Sequence, residues 1–206
     1  VGASPNQLAQ LRKKLRQLTT EGAVGRFWYE NSSRAILDMV GGDVVEAEKF
    51  VSVIAIYSPN ATVPGNTSMA LTAWYQYKAG LPIDAGFGEA DKKAENLLRK
   101  GEAWGGIKTN SFYQNLMVEI DPSKLDEGVA TMDMWVALAF DYGSRVLDQG
   151  PKYKFAEREI AAIAAELGWK AHQVQAAIWV AIKGRIDPIR PALKAREIKL
   201  GIGHEV

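Results

Sequence analysis

A lysine stands in an unusual place in this chain: Lys108 lies two residues after the pair Gly105-Gly106, inside the stretch GGIKTNSF. Paired glycines permit a tight turn that presents backbone N–H groups, and a helix beginning there adds its own unpaired N–H groups, so the stretch forms a natural anion site. A positive side chain is electrostatically unfavourable at that end of a helix unless it pairs with an anion or has a chemical task. Further along, 25 positions after Lys108, Asp133 precedes the apolar run MWVALAF, where it or Thr131 can cap a helix. The chain has no cysteine and two histidines, His172 and His204. Disulfides, thiolate-held zinc and iron–sulfur clusters are thereby excluded, and a histidine-rich metal site is disfavoured. Both histidines read as surface residues. Catalysis, if any, falls to carboxylates, lysine, hydroxyls or the backbone.

The elements that must position these residues are helical. Ser4-Pro5 reads as an N-cap followed by proline in the first turn, and Leu8, Leu11, Leu15 and Leu18 recur at helical spacing up to Glu21-Gly22. A second periodic run covers Arg26 to Val40 and stops at Gly41-Gly42; Asp43 can cap a third, VVEAEKFVSVIAIYS, which Pro59 terminates. The segment VSVIAI has a β-rich composition, but its amphipathic surroundings favour helix. Further helices are predicted at 66–79, 89–100, 107–119, 125–141, 155–167, 170–184 and 190–200. The expectation is an all-α protein of about ten short helices, with no repeat or low-complexity segment.

At 206 residues with 47% hydrophobic side chains and six tryptophans, the chain can bury a substantial core. No apolar stretch approaches a membrane span, and the amphipathic start lacks a signal-peptide core, so an intracellular, cytoplasmic protein is expected. Net charge is +1, but it is unevenly spread: residues 1–20 hold four basic and no acidic side chains, 151–206 ten and six, and 110–150 two and seven. Basic ends around an acidic middle suit a polyanion gripped at one face; solvated helix faces explain the same pattern. In the C-terminal run, Gln175, Trp179 and Lys183 share a face at i, i+4 spacing, with Arg185, Arg190, Lys194 and Arg196 beyond, a tail that could neutralise phosphates or pack as a terminal helix.

From about Glu46 to Gly143 the order of segments resembles the helix-hairpin-helix DNA glycosylase superfamily, the endonuclease-III-like and 8-oxoguanine-excising base-repair proteins. SPNATVPGNTSMAL is similar to the family's S-A-Q-A-T-D-x-x-V-N turn, DKKAENLL to its x-S-K-A-x-x-I helix, GGIKTNSF to the second half of its L-P-G-V-G-x-K-T-A hairpin, and ATMDMW to its x-V-D-T-H-V. The chain departs from the pattern in three ways: EAWGGI lacks the proline and first glycine, Val63 replaces the aspartate after the S-x-N-A-T turn, and no cysteine-ligated cluster follows.

The resemblance implies a helix-hairpin-helix glycosylase-like fold with an active-site cleft between two helical lobes, one around 44–125 and one formed by 1–43 plus 126–206, together a single unit over 1–206. It implies a DNA glycosylase that cleaves the N-glycosidic bond of a flipped base, with AP-lyase activity because Lys108 matches the nucleophile that forms a Schiff base at C1′. Attack requires a neutral amine, which a site beside positive N–H dipoles favours in general. Asp133 matches the aspartate that stabilises the oxocarbenium-like sugar. Base extrusion needs a side chain to fill the gap, and Asn60 matches the wedge glutamine. Trp104, Gly105, Gly106, Ile107 and Thr109 would touch DNA. The walls of the base pocket would come from Trp28, Tyr57, Phe112 and Tyr113, with Phe27 and Tyr29 as further aromatic candidates. No cofactor is required; a monovalent cation at the hairpin could join its carbonyls to a phosphate, DNA is the partner, and a monomer is expected. Two alternatives share these residues: a phage-type enzyme that modifies a nucleotide or base without excising it, and a non-catalytic DNA-binding module.

Overall fold

The computed structural model describes residues 4–142 and 150–201; His204 lies outside them. Among the described residues there are ten α-helices and no strand: α1 (Pro5–Glu21), α2 (Trp28–Met39), α3 (Val44–Tyr57), α4 (Val63–Lys78), α5 (Gly88–Lys100), α6 (Ile107–Leu116), α7 (Met134–Ala139), α8 (Gly150–Leu167), α9 (Ala171–Lys183) and α10 (Ile189–Lys199). The chain divides into two compact units, Val1–Glu30 with Pro122–Ile186, and Asn31–Asp121 with Asp187–Val206. No described helix is long and apolar enough to cross a membrane.

Each unit is organised by one helix that is apolar nearly all round, the pattern of a helix buried on every side rather than along one stripe. In the unit holding residues 31–121 that helix is α3. Asp43 starts it, its carboxylate accepting from the N–H groups of Val45 (2.9 Å) and Glu46 (3.0 Å). Residues 50–57 are then all buried, so VSVIAI is a core helix despite its β-branched content. Helices α4, α5 and α6 pack on α3, and α10 packs on α4. At full burial each of the larger apolar side chains on α3 contributes about 1.5–3 kcal/mol, which outweighs the weak helix propensity of valine and isoleucine.

In the other unit α9 plays this part: residues 171–180 are all buried, and α1, α7 and α8 pack against it. Helix α1 begins as its sequence requires, with Ser4 Oγ accepting from the Gln7 N–H at 3.3 Å and Gln7 Oε1 accepting from the Ser4 N–H at 2.8 Å. Its cations are largely matched within the unit. Arg12 donates to both oxygens of Glu159 (2.7 and 3.1 Å), Arg16 to both oxygens of Glu166 (2.8 Å each) and Lys14 to Asp141 (2.9 Å). The basic character of residues 1–20 is thus mostly answered inside the fold by acids far along the chain.

One helical segment is much shorter than its periodicity predicts. Instead of a helix over 125–141, the chain forms a 3-10 turn at Pro122–Lys124, a left-handed Gly128 (φ 77°) and an irregular stretch before α7. Glycine in that conformation breaks a helix, and Asp133 restarts one by capping it. Conversely α8 begins at Gly150, five residues before the expected start at 155, because Pro151 is compatible with a first helical turn.

Candidate functional site

The hairpin around Lys108 is built from its glycines. Helix α5 ends at Gly101, left-handed at φ 69°, whose N–H returns to the Leu97 carbonyl at 2.9 Å. Four residues on, Gly105 is again left-handed (φ 85°), and a Cβ there would lie 2.5 Å from Thr109 Oγ1. Only glycine fits both demands. Thr109, buried, uses that hydroxyl to donate to the Gly106 carbonyl at 2.9 Å, and the Asn110 N–H reaches the same carbonyl at 3.0 Å. Gly106 begins α6 without a side-chain cap, so the N–H groups of the first turn keep their affinity for an anion.

Lys108 occupies this first turn. It is half-buried, and it makes no hydrogen bond or ion pair among the described residues. Ile107, at the helix start, is 39% exposed. Helix α6 itself is held firmly. Ser33 Oγ donates to the Leu116 carbonyl at 2.8 Å and accepts from the Glu119 N–H at 3.0 Å, satisfying groups that the end of the helix would leave open. On the flank, Tyr113 donates to Glu48 of α3 at 2.6 Å, and Trp104 meets the Tyr113 ring edge-on at 5.7 Å. Burial, then the bond to Glu48, pushes the Tyr113 phenol well above its ordinary value. Trp104 and Tyr113 therefore brace the hairpin against α3, while Phe112 is half-buried beside them.

Two other residues singled out in the same unit behave differently from one another. Asn60 is exposed on the turn between α3 and α4 and has left-handed backbone (φ 59°), which asparagine tolerates. The following Thr62 caps α4 by accepting from the Gly65 N–H at 3.2 Å. Tyr57, by contrast, is a core residue at 1% exposure, its hydroxyl in a short hydrogen bond to Asp91. Asp91 also accepts from the N–H groups of Ala85 (3.1 Å) and Gly86 (3.4 Å), tying the loop after α4 to α5.

Asp133 belongs to the unit that contains α9. It caps α7, accepting from the Val136 N–H at 2.9 Å, so its place at a helix start is real. The buried residues leading to it are pinned from below. The Tyr153 hydroxyl donates to the Ala130 carbonyl and accepts from the Met132 N–H, both at 3.2 Å, and Glu157 accepts from the Ala130 N–H at 3.3 Å. Tyr29 joins this group: burial pushes its phenol far up, against hydrogen bonds from Thr131 and Gln175, with the Asp133 charge adding to the rise.

A second polar cluster lies in the same core, and sequence reasoning missed it. His172 is 1% exposed rather than a surface residue, and its Nε2 lies 2.9 Å from Glu30 Oε1. Gln173 Nε2 donates to the same oxygen at 2.7 Å, whereas Glu30 Oε2 is buried without a partner. Burial pushes the Glu30 carboxyl up, but the bond and charge of His172 and the bond from Gln173 outweigh it and leave the group below the ordinary carboxylate range. The face Gln175–Trp179 of α9 is likewise buried, at 3% and 8% exposure, and Trp179 packs on Trp28, itself 7% exposed. Those positions on α9 therefore belong to the core and not to a phosphate-facing surface. Farther along, Arg190 pairs with Asp38 at 2.5 Å and Arg196 donates to Thr72 at 2.7 Å. Among the described residues no group of three or more His, Cys, Asp or Glu side chains could hold a metal ion.

Comparison with known proteins gives a family without an assigned activity. A model described as a family of unknown function (DUF7178) matches residues 16–186, and the chain belongs to that family. No curated protein and no solved structure matches it.

Proposed function

We propose that this member of the family is a DNA base-excision glycosylase with lyase activity, built on a glycosylase-like helical fold and acting through Lys108. The observation that carries the reading is the environment of that lysine: half-buried in the first turn of α6, directly behind a glycine-enforced turn, with no anionic partner among the described residues. A cation at the positive end of a helix with nothing to neutralise it costs stability, which a chemical task for that side chain would explain. The uncapped N–H groups of α6 suit a DNA phosphate, and the exposed, left-handed Asn60 suits the role of filling the gap left by an extruded base.

In this proposal the lone pair of Lys108 Nζ forms a bond to C1′ while the bond from C1′ to the base breaks and the base leaves with the electron pair. Loss of the N–H proton and opening of the sugar ring, with O4′ taking up a proton, gives the imine. Removal of a C2′ proton then expels the 3′ phosphate. The resemblance gives Asp133, the residue that caps α7, the charge-stabilising role.

Incubation with duplexes carrying oxidised purines, uracil or modified pyrimidines tests the proposal. Release of free base and a strand break are expected, both disappearing in Lys108→Ala and base release slowing in Asp133→Asn. Altered bases that stay attached to the strand would favour a modifying enzyme instead. Salt-sensitive binding without any product would leave a DNA-binding module.

A further inference from the structure

The turn before α2 carries a surface separate from the α6 hairpin, and it includes Phe27. Two glycines press it onto α9: a Cβ at Gly22 would lie 1.8 Å from the Ala177 carbonyl oxygen, and one at Gly25 would lie 2.3 Å from Val180 Cγ2. That close approach fixes the chain on both sides of Val24, a residue 79% exposed at the apex. It also delivers Arg26 to the ring of Trp169. The guanidinium carbon stands 4.2 Å from the centroid of Trp169 and 4.7 Å from that of Phe27, and Phe27 is 49% exposed.

Arg26 is distinguished by a buried Nε and by the two rings it sits against. Arg12, Lys14, Arg16 and Lys154 of the same unit each meet a carboxylate. Arg26 meets none among the described residues, and its Nε is buried without an acceptor. A guanidinium stacked on aromatic rings is already partly stripped of water, so its N–H edge favours an oxyanion that can accept two hydrogen bonds. The exposed ring and apolar apex beside it favour the flat face of a base or the gap between two bases. A protein carboxylate would satisfy the arginine but would offer the ring nothing to stack upon.

We propose that Val24, Arg26 and Phe27, braced by Trp169, form a nucleic-acid contact in which Arg26 takes a backbone phosphate and Phe27 stacks on an unpaired base. It uses no residue of the α6 hairpin. The identity of the polyanion as DNA rests on the reading given above.

The test is anisotropy-monitored binding of a short labelled DNA, single-stranded and as a duplex with one unpaired base, over a range of salt. Arg26→Ala should bind several-fold more weakly and lower the slope of log affinity against log salt by about one phosphate contact. Phe27→Ala should lose about 5-fold or more with the slope unchanged, as expected for a stacking contact. Arg26→Lys should keep the slope while losing affinity. Arg26→Lys and Phe27→Leu retain bulk against the neighbouring rings and serve if an alanine variant does not fold. If wild type binds and excises while these variants bind equally well, the contact is wrong and the glycosylase reading survives. Weakened binding by the variants of a wild type that excises nothing would uphold the contact and remove the glycosylase reading. Wild type without DNA affinity would overturn both.

Discussion

Replacing His172 by alanine should be among the most damaging single changes in the unit organised by α9. The side chain is 1% exposed and supplies one of the two hydrogen bonds to Glu30 Oε1, at 2.9 Å; the other comes from Gln173 at 2.7 Å. Glu30 is itself 5% exposed, and its second oxygen already lacks a partner. Removing one member of a buried pair while the other stays charged costs about 3–5 kcal/mol, most of it from the carboxylate left behind. Loss of the edge-on contact with Tyr29, at 5.8 Å between ring centroids, adds about 0.5–1.5 kcal/mol. Glu30→Gln should cost less, because it removes the charge and keeps the shape. If the loss in His172→Ala comes from the stranded charge, adding Glu30→Gln to it should recover part of the stability. Urea unfolding followed by far-UV circular dichroism measures all three. The pH dependence has a definite sign: the folded-state carboxyl of Glu30 lies below its ordinary value of 4.5, so its contribution is present above that pH and is lost as pH falls through the lower folded value. Wild type should therefore weaken in that acidic window more steeply than Glu30→Gln. A His172→Ala variant within about 1 kcal/mol of wild type, less than the penalty for a stranded buried charge, would refute the reasoning.

Other changes follow from the same geometry. Gly105→Ala forces a left-handed alanine and a Cβ 2.5 Å from Thr109 Oγ1, so a loss of about 1–3 kcal/mol is expected, with faster amide exchange in the first turn of α6. Tyr57→Phe keeps the ring in the core but removes a donor from Asp91, and thermal melting should report about 1.5–3 kcal/mol of destabilisation. Gly22→Ala meets a backbone carbonyl at 1.8 Å, which no rotamer change relieves; soluble yield and melting temperature should both fall sharply, whereas Gly41→Ala, with nothing within 4 Å, should show only the smaller cost of its left-handed φ.

Local signals in the sequence located most of the helices. Ser4 and Pro5 mark the start of α1, and Asp43 and Pro59 bracket α3, all through interactions within a few residues. Gly105-Gly106 likewise placed Lys108 in the first turn of α6. Interactions across long separations were not legible. Nothing near Arg12 or Arg16 indicates that Glu159 and Glu166, 147 and 150 residues away, will pair with them. The same holds for His172, which sequence reasoning placed at the surface although Glu30, 142 residues earlier, meets it in the core. A signal was present in AHQVQAAIWV: with so many apolar positions the helix has no face left for solvent, so its polar residues must find partners inside. For α7, helical periodicity across 125–141 concealed Gly128, whose backbone conformation interrupts it.

Borohydride reduction during incubation with DNA carrying a single abasic site reads out whether Lys108 is the nucleophile. A covalent protein–DNA adduct is expected, mapped by peptide mass spectrometry to the tryptic fragment containing Lys108 and missing from Lys108→Ala. An adduct mapped to a different lysine, or one formed equally by Lys108→Ala, would contradict that role.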